Sequence, residues 1–285
     1  MKYVFTIDMD GTLLNDASKL SNKTIDVIKK YKDQHHFILA SGRSYLGMID
    51  FYHELGLTTP IISLNGALIT YPDGKTSLTY LPKDEVTEII TSLKGIYEAI
   101  IFNGLNNVYS INHDNHLEKV FNGAKHPSVI DLTKLKHIPE DIINGVIVTR
   151  VQKMRQFEAF FDELTIKPRS WGHDGTYAFY DLYLEGISKA SALNTVLKDL
   201  DYKLVYTFGD GMNDLEMIKL SPNGVVMKNG HPNLKKAATK VTAYTNDEDG
   251  VAKYIENLLK WFYHFFYWTK FKLSLFKSIY KVTVL

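Results

Sequence analysis

Short apolar runs alternate with amphipathic stretches along the first 66 residues of the chain. The runs at residues 3–7, 37–40 and 61–64 are rich in valine, isoleucine, leucine and phenylalanine, and polar residues or glycine follow each of them, as expected of buried strands. Helical spacing of apolar positions separates the runs, first after Ser21 and again over residues 46–55. This order of strand and helix predicts a parallel β-sheet with helices packed against it.

The same alternation returns in the last third of the chain. A helical pattern runs from Ser188 to about residue 200, and apolar strands follow at 204–208 and 224–227. A final helix is predicted from residue 247. The two stretches of alternating elements therefore belong to one sheet, although about a hundred residues separate them in the sequence.

The residues between these stretches have a different pattern. A hairpin is predicted around residues 71–75, where the turn-forming Pro72, Asp73 and Gly74 stand together. Beyond it, strands are predicted at 100–103, 146–151 and 177–184, and helices near 114–123 and 153–164. We predict an α/β fold, with a Rossmann-like parallel-sheet core from residues 1–82 and 186–259 and an inserted α+β domain at 83–185.

Four polar clusters stand where predicted strands end or predicted helices begin. Because the carboxyl ends of parallel strands share one edge of a sheet, these clusters are expected to meet there. Carboxylates with few histidines favour Mg²⁺, while a lysine, a hydroxyl and a glycine-flanked backbone suit phosphate oxygens. The clusters are Asp8 with Asp10, Ser41 with Gly42, Lys189, and Asp210 with Asn213 and Asp214.

The first cluster has the spacing of two carboxylates that act together. Asp8 and Asp10 are two residues apart at a strand end, so one can attack as a nucleophile while the other transfers a proton. The alternative is that such a pair only forms a turn or caps a helix. Gly11 and Thr12 favour the first interpretation, because glycine permits a tight turn and threonine can bond to the backbone.

The clusters, taken in order, resemble the four sequence motifs of the haloacid dehalogenase-like hydrolases. These motifs read Asp8-Met9-Asp10-Gly11-Thr12-Leu13, Ser41-Gly42-Arg43, Lys189, and Gly209-Asp210-Gly211-Met212-Asn213-Asp214. The long insert and two further segments, Ser63-Leu64-Asn65-Gly66-Ala67 and Gly186-Ile187-Ser188-Lys189, resemble the Cof-type phosphatases within that superfamily. The resemblance covers residues 1–259 and implies that residues 83–185 form a type II cap.

The resemblance assigns the reaction to the carboxylates. It implies that Asp8 is the nucleophile and forms an aspartyl-phosphate, and that Asp10 first protonates the leaving alkoxide and then activates water. It also implies that Mg²⁺ binds the Asp8 carboxylate, the backbone carbonyl of Asp10 and Asp210, with Asp214 just outside the direct ligands. A metal and a lysine make chemical sense here, because an anionic carboxylate otherwise repels an anionic phosphoryl group.

The remaining motif residues are implied to bind the substrate phosphate. They are Ser41, Gly42, Lys189 and Asn213. The implied partner is a small phosphorylated metabolite, and the insert is expected to contact its leaving group. Candidate contacts are the polar residues Asn103, His113, Asp114, Arg150 and Asp181.

Several nearby polar residues have two interpretations. Arg43 follows the predicted phosphate-binding turn and either supports the site or forms a salt bridge. Asn65 is either a substrate contact or a turn former. His35 and His36 precede a strand without a third ligand at metal spacing, so we expect them at the surface.

Composition and charge exclude several classes of protein. The chain has 285 residues with 33 basic and 32 acidic side chains, and no cysteine, which excludes a disulfide scaffold and thiolate metal sites. Residues 260–285 contain five lysines and no acid, so residues 1–259 carry 28 basic against 32 acidic side chains, a net charge of −4. Nucleic-acid binding is not expected, because it usually requires a basic surface on the main domain.

The two ends of the chain bear on its location. An acidic residue at position 8 interrupts the first apolar run, so we predict no signal peptide and a cytoplasmic enzyme. Residues 260–285 form a basic, aromatic-rich C-terminal extension whose helical wheel separates lysines from aromatic residues. Such a segment can lie on an anionic membrane surface or contact a partner. We favour an extension that packs on its own domain, or an end without function, over contact with a membrane.

The function predicted from the sequence is a Mg²⁺-dependent phosphatase that hydrolyses a small phosphomonoester through an aspartyl-phosphate. The resemblance implies a sugar phosphate, a nucleotide or a cofactor phosphate as substrate. One alternative is a phosphotransferase or mutase of the same fold. The other is a module without catalysis that binds a partner or a membrane.

Overall fold

The computed structural model describes residues 2–112, 125–135 and 137–261. The strands are β1 Tyr3–Ile7, β2 His36–Leu39, β3 Ile61–Ser63, β4 Leu68–Thr70, β5 Thr76–Leu78, β6 Tyr97–Gly104, β7 Asn107–Ile111, β8 Ser128–Asp131, β9 Ile142–Arg150, β10 Ile166–His173, β11 Tyr177–Leu184, β12 Leu204–Gly209, β13 Asn223–Val226 and β14 Lys240–Val241. The helices are α1 Asn22–Tyr31, α2 Ile49–Leu55, α3 Lys83–Ser92, α4 Met154–Phe160, α5 Lys189–Leu197, α6 Leu215–Leu220, α7 Pro232–Ala237 and α8 at residues 250–261.

Five strands form a sheet in the order β14-β13-β12-β1-β2, which we call the parallel sheet because every neighbouring pair is parallel. Helices cover both of its faces, so β1 is apolar at nearly every position. Phe5 packs with α1, α2 and α8, whereas Val4 points the other way and packs with α5 and α6. A strand buried on both faces reads as a continuous apolar run, which is why the sequence predicted it.

A three-stranded antiparallel sheet, β3-β4-β5, extends the parallel sheet beyond β2. A parallel bridge between Ala40 and Ile62 connects the two sheets. The predicted hairpin at residues 71–75 is confirmed, because it joins β4 to β5.

Six strands form the mixed sheet, in the order β10-β11-β9-β6-β7-β8. It has its own hydrophobic core, in which α3 and α4 contribute Ile89 and Phe157. The predicted strands at 100–103 and 177–184 lie within β6 and β11, and the one at 146–151 overlaps β9 but extends one residue beyond its end, whereas β7, β8 and β10 were not predicted. The edge strand β10 contains Pro168 and Gly172, and its exposed half carries no apolar alternation.

The prediction of an α/β fold with a parallel-sheet core and an inserted α+β unit is confirmed by this architecture. Its boundaries at residues 82/83 and 185/186 stay a prediction. The helix predicted near 114–123, the candidates His113 and Asp114, and residues 262–285 of the C-terminal extension lie outside the described residues. Within the described ranges, no helix is both long enough and apolar enough to cross a membrane.

The surface position expected for His35 is wrong. Its side chain is buried, its ring stacks on Tyr3 with centroids 5.0 Å apart, and its Nδ1 accepts the backbone N–H of Tyr3 at 3.2 Å. Burial lowers the pKa of His35 to about 4. A histidine with a stacking partner and one hydrogen bond can remain neutral in a core, which metal-ligand spacing does not reveal.

Candidate active site

The carboxyl ends of β1, β2 and β12 meet at one edge of the parallel sheet, opposite one face of the mixed sheet. A cleft of about 930 Å³ separates them. We call its two sides the lower wall and the upper wall. The lower wall consists of Asp8, Asp10, Ser41, Gly42, Asp210 and Asn213, and the upper wall of Asn103, Asn144, Arg169, Trp171 and Asp181.

Asp8 is the first residue after β1 and is held by a buried lysine. The Nζ of Lys189 lies 2.6 Å from Asp8 Oδ1 and 2.7 Å from Asp214 Oδ1. Lys189 begins α5, where Ser188 caps the helix, and its side chain is fully buried under the cleft floor. Burial alone would lower the pKa of Lys189, but the charges of Asp214 and Asp8 outweigh it and raise that pKa, so the lysine is cationic.

Asp210 stands beside Asp8 at the end of β12. The hydroxyl of Thr12 donates to Asp210 Oδ1 at 2.9 Å. Gly11 has a φ of +70°, and a Cβ there would lie 2.3 Å from Asp210 Oδ2. The turn after β1 therefore requires glycine for two reasons, namely its backbone conformation and its contact with this carboxylate.

The three aspartates carry more negative charge than Lys189 balances. Burial, followed by the charge of Asp214, raises the pKa of Asp8 well above its usual range. The same two causes raise the pKa of Asp210 to about 6. Carboxylates that are buried together in this way favour a cation between them, because a cation would relieve both the repulsion and the desolvation.

The donor set fits a divalent metal. One oxygen each from Asp8, Asp210 and Asp214 lie within 4.8 Å of one another. Asp214 has both oxygens engaged, Oδ1 by Lys189 and Oδ2 by the backbone N–H groups of Asp210 and Gly211 at 3.0 Å. Asp8 and Asp210 each have one oxygen engaged, by Lys189 and by the Thr12 hydroxyl, so each has a second oxygen available for a metal, and hard oxygen ligands of this kind suit Mg²⁺.

Asp10 forms a bidentate ion pair with Arg43. Its oxygens accept from Arg43 Nε at 2.7 Å and from Nη2 at 2.6 Å. Arg43 also lies over the ring of Phe51, and its side chain is almost buried, whereas that of Asp10 is 43% exposed. Of the two interpretations of Arg43, the structure supports the salt bridge. The partner of Arg43 in this salt bridge is Asp10, the predicted acid–base residue.

The predicted phosphate-binding residues surround one amide. The Oδ1 of Asn65 accepts from Asn213 Nδ2 at 3.0 Å, and its backbone N–H donates to the carbonyl of Ser41 at 2.9 Å. A Cβ at Gly42 would lie 3.2 Å from Asn65 Nδ2. Asn65 has a φ of +53°, so the turn-former interpretation describes its backbone.

The upper wall carries amide, indole and charged groups on neighbouring strands. Asn103 and Asn144 are paired across β6 and β9, and Asn103 Nδ2 donates to Asn144 Oδ1 at 2.8 Å. Trp171 Nε1 donates to Asp181 Oδ1 at 3.0 Å. Arg169 lies over the ring of Tyr183, 4.2 Å from its centroid. The wall is polar but, apart from Arg169 and Asp181, uncharged.

A family model described as haloacid dehalogenase-like hydrolase matches residues 5–255. The chain belongs to the haloacid dehalogenase-like hydrolase family. This confirms three predictions, namely that the chain belongs to this family, that it is an enzyme and that it is a phosphatase.

The matches between this hydrolase and individual relatives extend over nearly the whole length of those relatives. It is 30% identical over 269 residues to the 5-amino-6-(5-phospho-D-ribitylamino)uracil phosphatase YitU of Bacillus subtilis (strain 168), which covers 89% of this chain and 96% of that protein. It is 26% identical over 260 residues to a second such phosphatase of that organism, YcsE, with 89% and 94% covered. A haloacid dehalogenase-like hydrolase from Bacteroides thetaiotaomicron has a similar structure, with a TM-score of 0.74, 26% identity, and 90% and 99% covered.

Most of the predicted site residues of the hydrolase lie together. Those that do not line the cleft are Lys189 and Asp214, which lie beneath its floor. Among the candidates on the insert, Asn103 and Asp181 belong to the upper wall. Arg150 does not line the cleft, and its Nε lies 2.9 Å from Glu98 Oε1.

Sequence reasoning missed several residues of the cleft. Asn229 and His231 follow β13 at the same sheet edge, and Asn229 Nδ2 donates to the carbonyl of Gly11 at 2.7 Å. The rule that polar residues gather at strand ends would have found both. Asn144 interrupts the apolar run 142–148, which marks it as a polar side chain inside a strand. Trp171 had no such signal.

Proposed function

We propose that this hydrolase is a Mg²⁺-dependent phosphatase that cleaves a small phosphomonoester through an aspartyl-phosphate on Asp8. The observation that carries the proposal is the position of Asp8, a carboxylate on the cleft floor that is held by a buried lysine and faces Asp210. A nucleophilic carboxylate needs this surrounding, because it must approach an anionic phosphoryl group. We further propose that residues 83–185 act as the cap.

Asp8 and Asp210 would hold the metal with their carboxylates, together with the backbone carbonyl of Asp10. Mg²⁺, when bound, supplies positive charge that offsets the charge of the phosphoryl oxygens. Asp214 contributes by orienting Lys189 and the backbone of Asp210 and Gly211 rather than by binding the metal, since both of its oxygens are engaged.

Lys189 prepares Asp8 for attack. Its ammonium group holds Asp8 Oδ1, and its charge favours the ionised carboxylate that burial opposes. Ser41, Gly42 and Asn213 bind the phosphoryl oxygens from the cleft side, while Lys189 acts from below. Attack forms the Asp8 oxygen–phosphorus bond and breaks the bond between phosphorus and the leaving oxygen.

Asp10 protonates that leaving oxygen and later takes a proton from the water that attacks the aspartyl-phosphate. Both of its oxygens accept bonds from Arg43. Arg43 thereby orients the Asp10 carboxyl group towards the cleft.

The substrate that we propose is a phosphorylated sugar, polyol or cofactor. The relatives YitU and YcsE are named for a phosphorylated ribitylamino-uracil, which combines a polyol chain with a heterocycle. A cleft of about 930 Å³ accommodates a leaving group of that size. The amides of Asn103 and Asn144 offer donors and acceptors that suit hydroxyl groups.

The test is release of inorganic phosphate from a panel of phosphorylated metabolites by the purified protein. We expect turnover with Mg²⁺, none after exhaustive chelation, recovery on adding Mg²⁺ back, and poor replacement by Ca²⁺, whose coordination is larger and looser. Unchanged turnover after chelation would contradict the proposed metal dependence. Transfer of the phosphoryl group to an added sugar in preference to water would instead indicate a phosphotransferase.

A further inference from the structure

A side-chain hydrogen bond joins the mixed sheet to the phosphate-binding edge. Asp181 of β11 is 1% exposed, and its Oδ2 accepts from Asn65 Nδ2 at 3.2 Å. Its Oδ1 accepts from Trp171 Nε1, and Arg169 Nη1 lies 3.6 Å from Oδ2. Because both oxygens have protein partners, Asp181 is a poor candidate for a contact with the leaving group. It links the walls instead.

Asn65 continues this link into the lower wall. Its Nδ2 donates to Asp181 while its Oδ1 accepts from Asn213, so the amide is bonded at both ends. Its backbone N–H holds the carbonyl of Ser41, and its side chain covers the face of Gly42. Asn65 therefore contacts three of the four residues proposed to bind phosphate, Asn213 and Gly42 through its side-chain amide and Ser41 through its backbone N–H.

The backbone holds this amide in one place. Asn65 and Leu64 have φ values of +53° and +50°, which asparagine tolerates better than most residues. Gly66 follows with a φ of +99°, and a Cβ there would lie 2.2 Å from the carbonyl oxygen of Ser188. The turn is thus packed against Ser188, the residue that precedes Lys189. The Asn65 amide can therefore move only if its hydrogen-bond partners move with it.

We propose that Asp181 and Asn65 are positioning residues, through which docking of the mixed sheet orders the phosphate-binding residues. When Asp181 holds Asn65 Nδ2, the Oδ1 of Asn65 is presented to Asn213, and the Ser41–Gly42 turn is fixed beside it. The inference rests on the proposed function, since it takes this edge as the phosphate site. It assigns to Asp181 an effect on phosphate binding that does not require contact with phosphate.

The test is a double-mutant cycle read out by phosphate affinity. Binding of inorganic phosphate in the presence of Mg²⁺ is measured by titration calorimetry for the wild type, Asp181→Asn, Asn65→Gly and the double variant. Asp181→Asn keeps the shape but cannot accept both existing bonds, and Asn65→Gly removes the amide while tolerating the positive φ. We expect each single variant to weaken phosphate binding about 10-fold, as for loss of a charge-assisted hydrogen bond. We expect the double variant to be no weaker than Asn65→Gly.

Glu140→Gln is the matched control, because Glu140 is a carboxylate of the insert that also accepts several hydrogen bonds but does not line the cleft. Its phosphate affinity should equal that of the wild type. Should Asp181→Asn fail to unfold cooperatively, Trp171→Phe, which removes one of the two bonds to Asp181, replaces it in the cycle with a smaller expected effect of the same sign.

Additive losses, or wild-type phosphate affinity in Asp181→Asn, would overturn the inference. A wild type that binds phosphate but hydrolyses none of the panel would contradict the proposed function, while the cycle would still decide the inference. Absence of phosphate binding by the wild type would overturn both.

Discussion

The two walls of the cleft are built on different principles. In the lower wall, charged groups hold one another: Lys189 bridges two aspartates, and Arg43 holds Asp10 through two hydrogen bonds. In the upper wall, Asn103 and Asn144 share one hydrogen bond and face the cleft. Under the proposed function, the lower wall contacts the phosphate, which every candidate substrate has in common, and Asn103 and Asn144 of the upper wall face the part of the substrate that varies.

This difference indicates how substitutions should act. A change in the lower wall should reduce turnover of every substrate, because the phosphoryl group and its charge are always present. A change at Asn103 or Asn144 of the upper wall should alter the ratio between substrates instead, whereas Asp181 is proposed to act on the phosphate through Asn65. The following predictions test this division in order of their expected effect on turnover.

Asp8→Asn should abolish turnover of all substrates. The amide cannot attack phosphorus, so no phosphoenzyme should be trapped with labelled substrate. Asp26→Asn is the matched control, because Asp26 is an exposed aspartate on α1, and it should retain wild-type rates. A rate near that of the wild type in Asp8→Asn would contradict the assignment of the nucleophile.

Asp10→Asn should lower kcat by about 10²–10⁴-fold, which is the usual contribution of a general acid–base residue. The nucleophile remains, so formation of the phosphoenzyme should suffer less with p-nitrophenyl phosphate, whose leaving group needs little protonation. Rapid-quench measurements with this ester and with an alkyl phosphate check the difference. An equal loss of phosphoenzyme formation for both esters would argue against Asp10 as the acid.

Asn144→Leu should change selectivity rather than chemistry. It removes a polar group from the upper wall, and we expect kcat/KM for a polyol phosphate such as ribitol 5-phosphate to fall by about 10-fold, as for one or two lost hydrogen bonds. The value for ethyl phosphate, which has no further hydroxyl, should not change. Equal losses for the two esters would mean that the upper wall acts on catalysis and would remove the distinction between the walls.

His35 lies outside both walls, and replacing it should affect stability alone. The pKa of His35 is about 4 in the folded protein, whereas its ordinary value is 6.5. Between these two pH values, the unfolded chain therefore binds a proton more readily than the folded protein does. The folded state therefore has its full stability above pH 6.5 and loses it as the pH falls towards 4. The wild type should lose on the order of 2 kcal/mol more than His35→Gln between pH 7 and pH 5, measured by urea unfolding.

Asn22→Gln provides the control for this comparison, because it introduces the same side chain at an exposed position on α1 that does not titrate. Its stability should follow the pH dependence of the wild type. Identical pH dependence in the wild type and His35→Gln would show that burial of the ring does not shift its titration.

The lower wall could be predicted from the sequence because its chemistry restricts residue type and position. Asp8, Ser41 and Asp210 each follow an apolar run, so the strand-end rule brings them together without knowledge of any distance. The burial of Lys189 could not be predicted, since a lysine at the start of a helix is usually solvated. Its two carboxylate partners are 181 and 25 residues away in the sequence.

The upper wall could be predicted only in part. Asn103 and Asp181 were candidates as polar residues near strands, but Arg150, chosen for the same reason, pairs with Glu98. Asn144, Arg169 and Trp171 depend on strand register, which periodicity alone does not determine when both faces of a sheet carry mixed residues. The role of Asn65 between the walls likewise depends on a contact between residues 116 positions apart.

The enclosed position of Lys189 limits how the molecule can change over evolutionary time. Replacing Lys189 alone leaves the buried carboxylates of Asp8 and Asp214 without their cation, which typically costs about 3–5 kcal/mol. A single replacement of Lys189 therefore leads to an unstable protein, and a viable route requires simultaneous changes at its partners. Asn103 and Asn144 carry no net charge and face open space, so each can be exchanged singly. New substrates are thus most accessible to descendants that vary the insert and inherit the sheet edge intact.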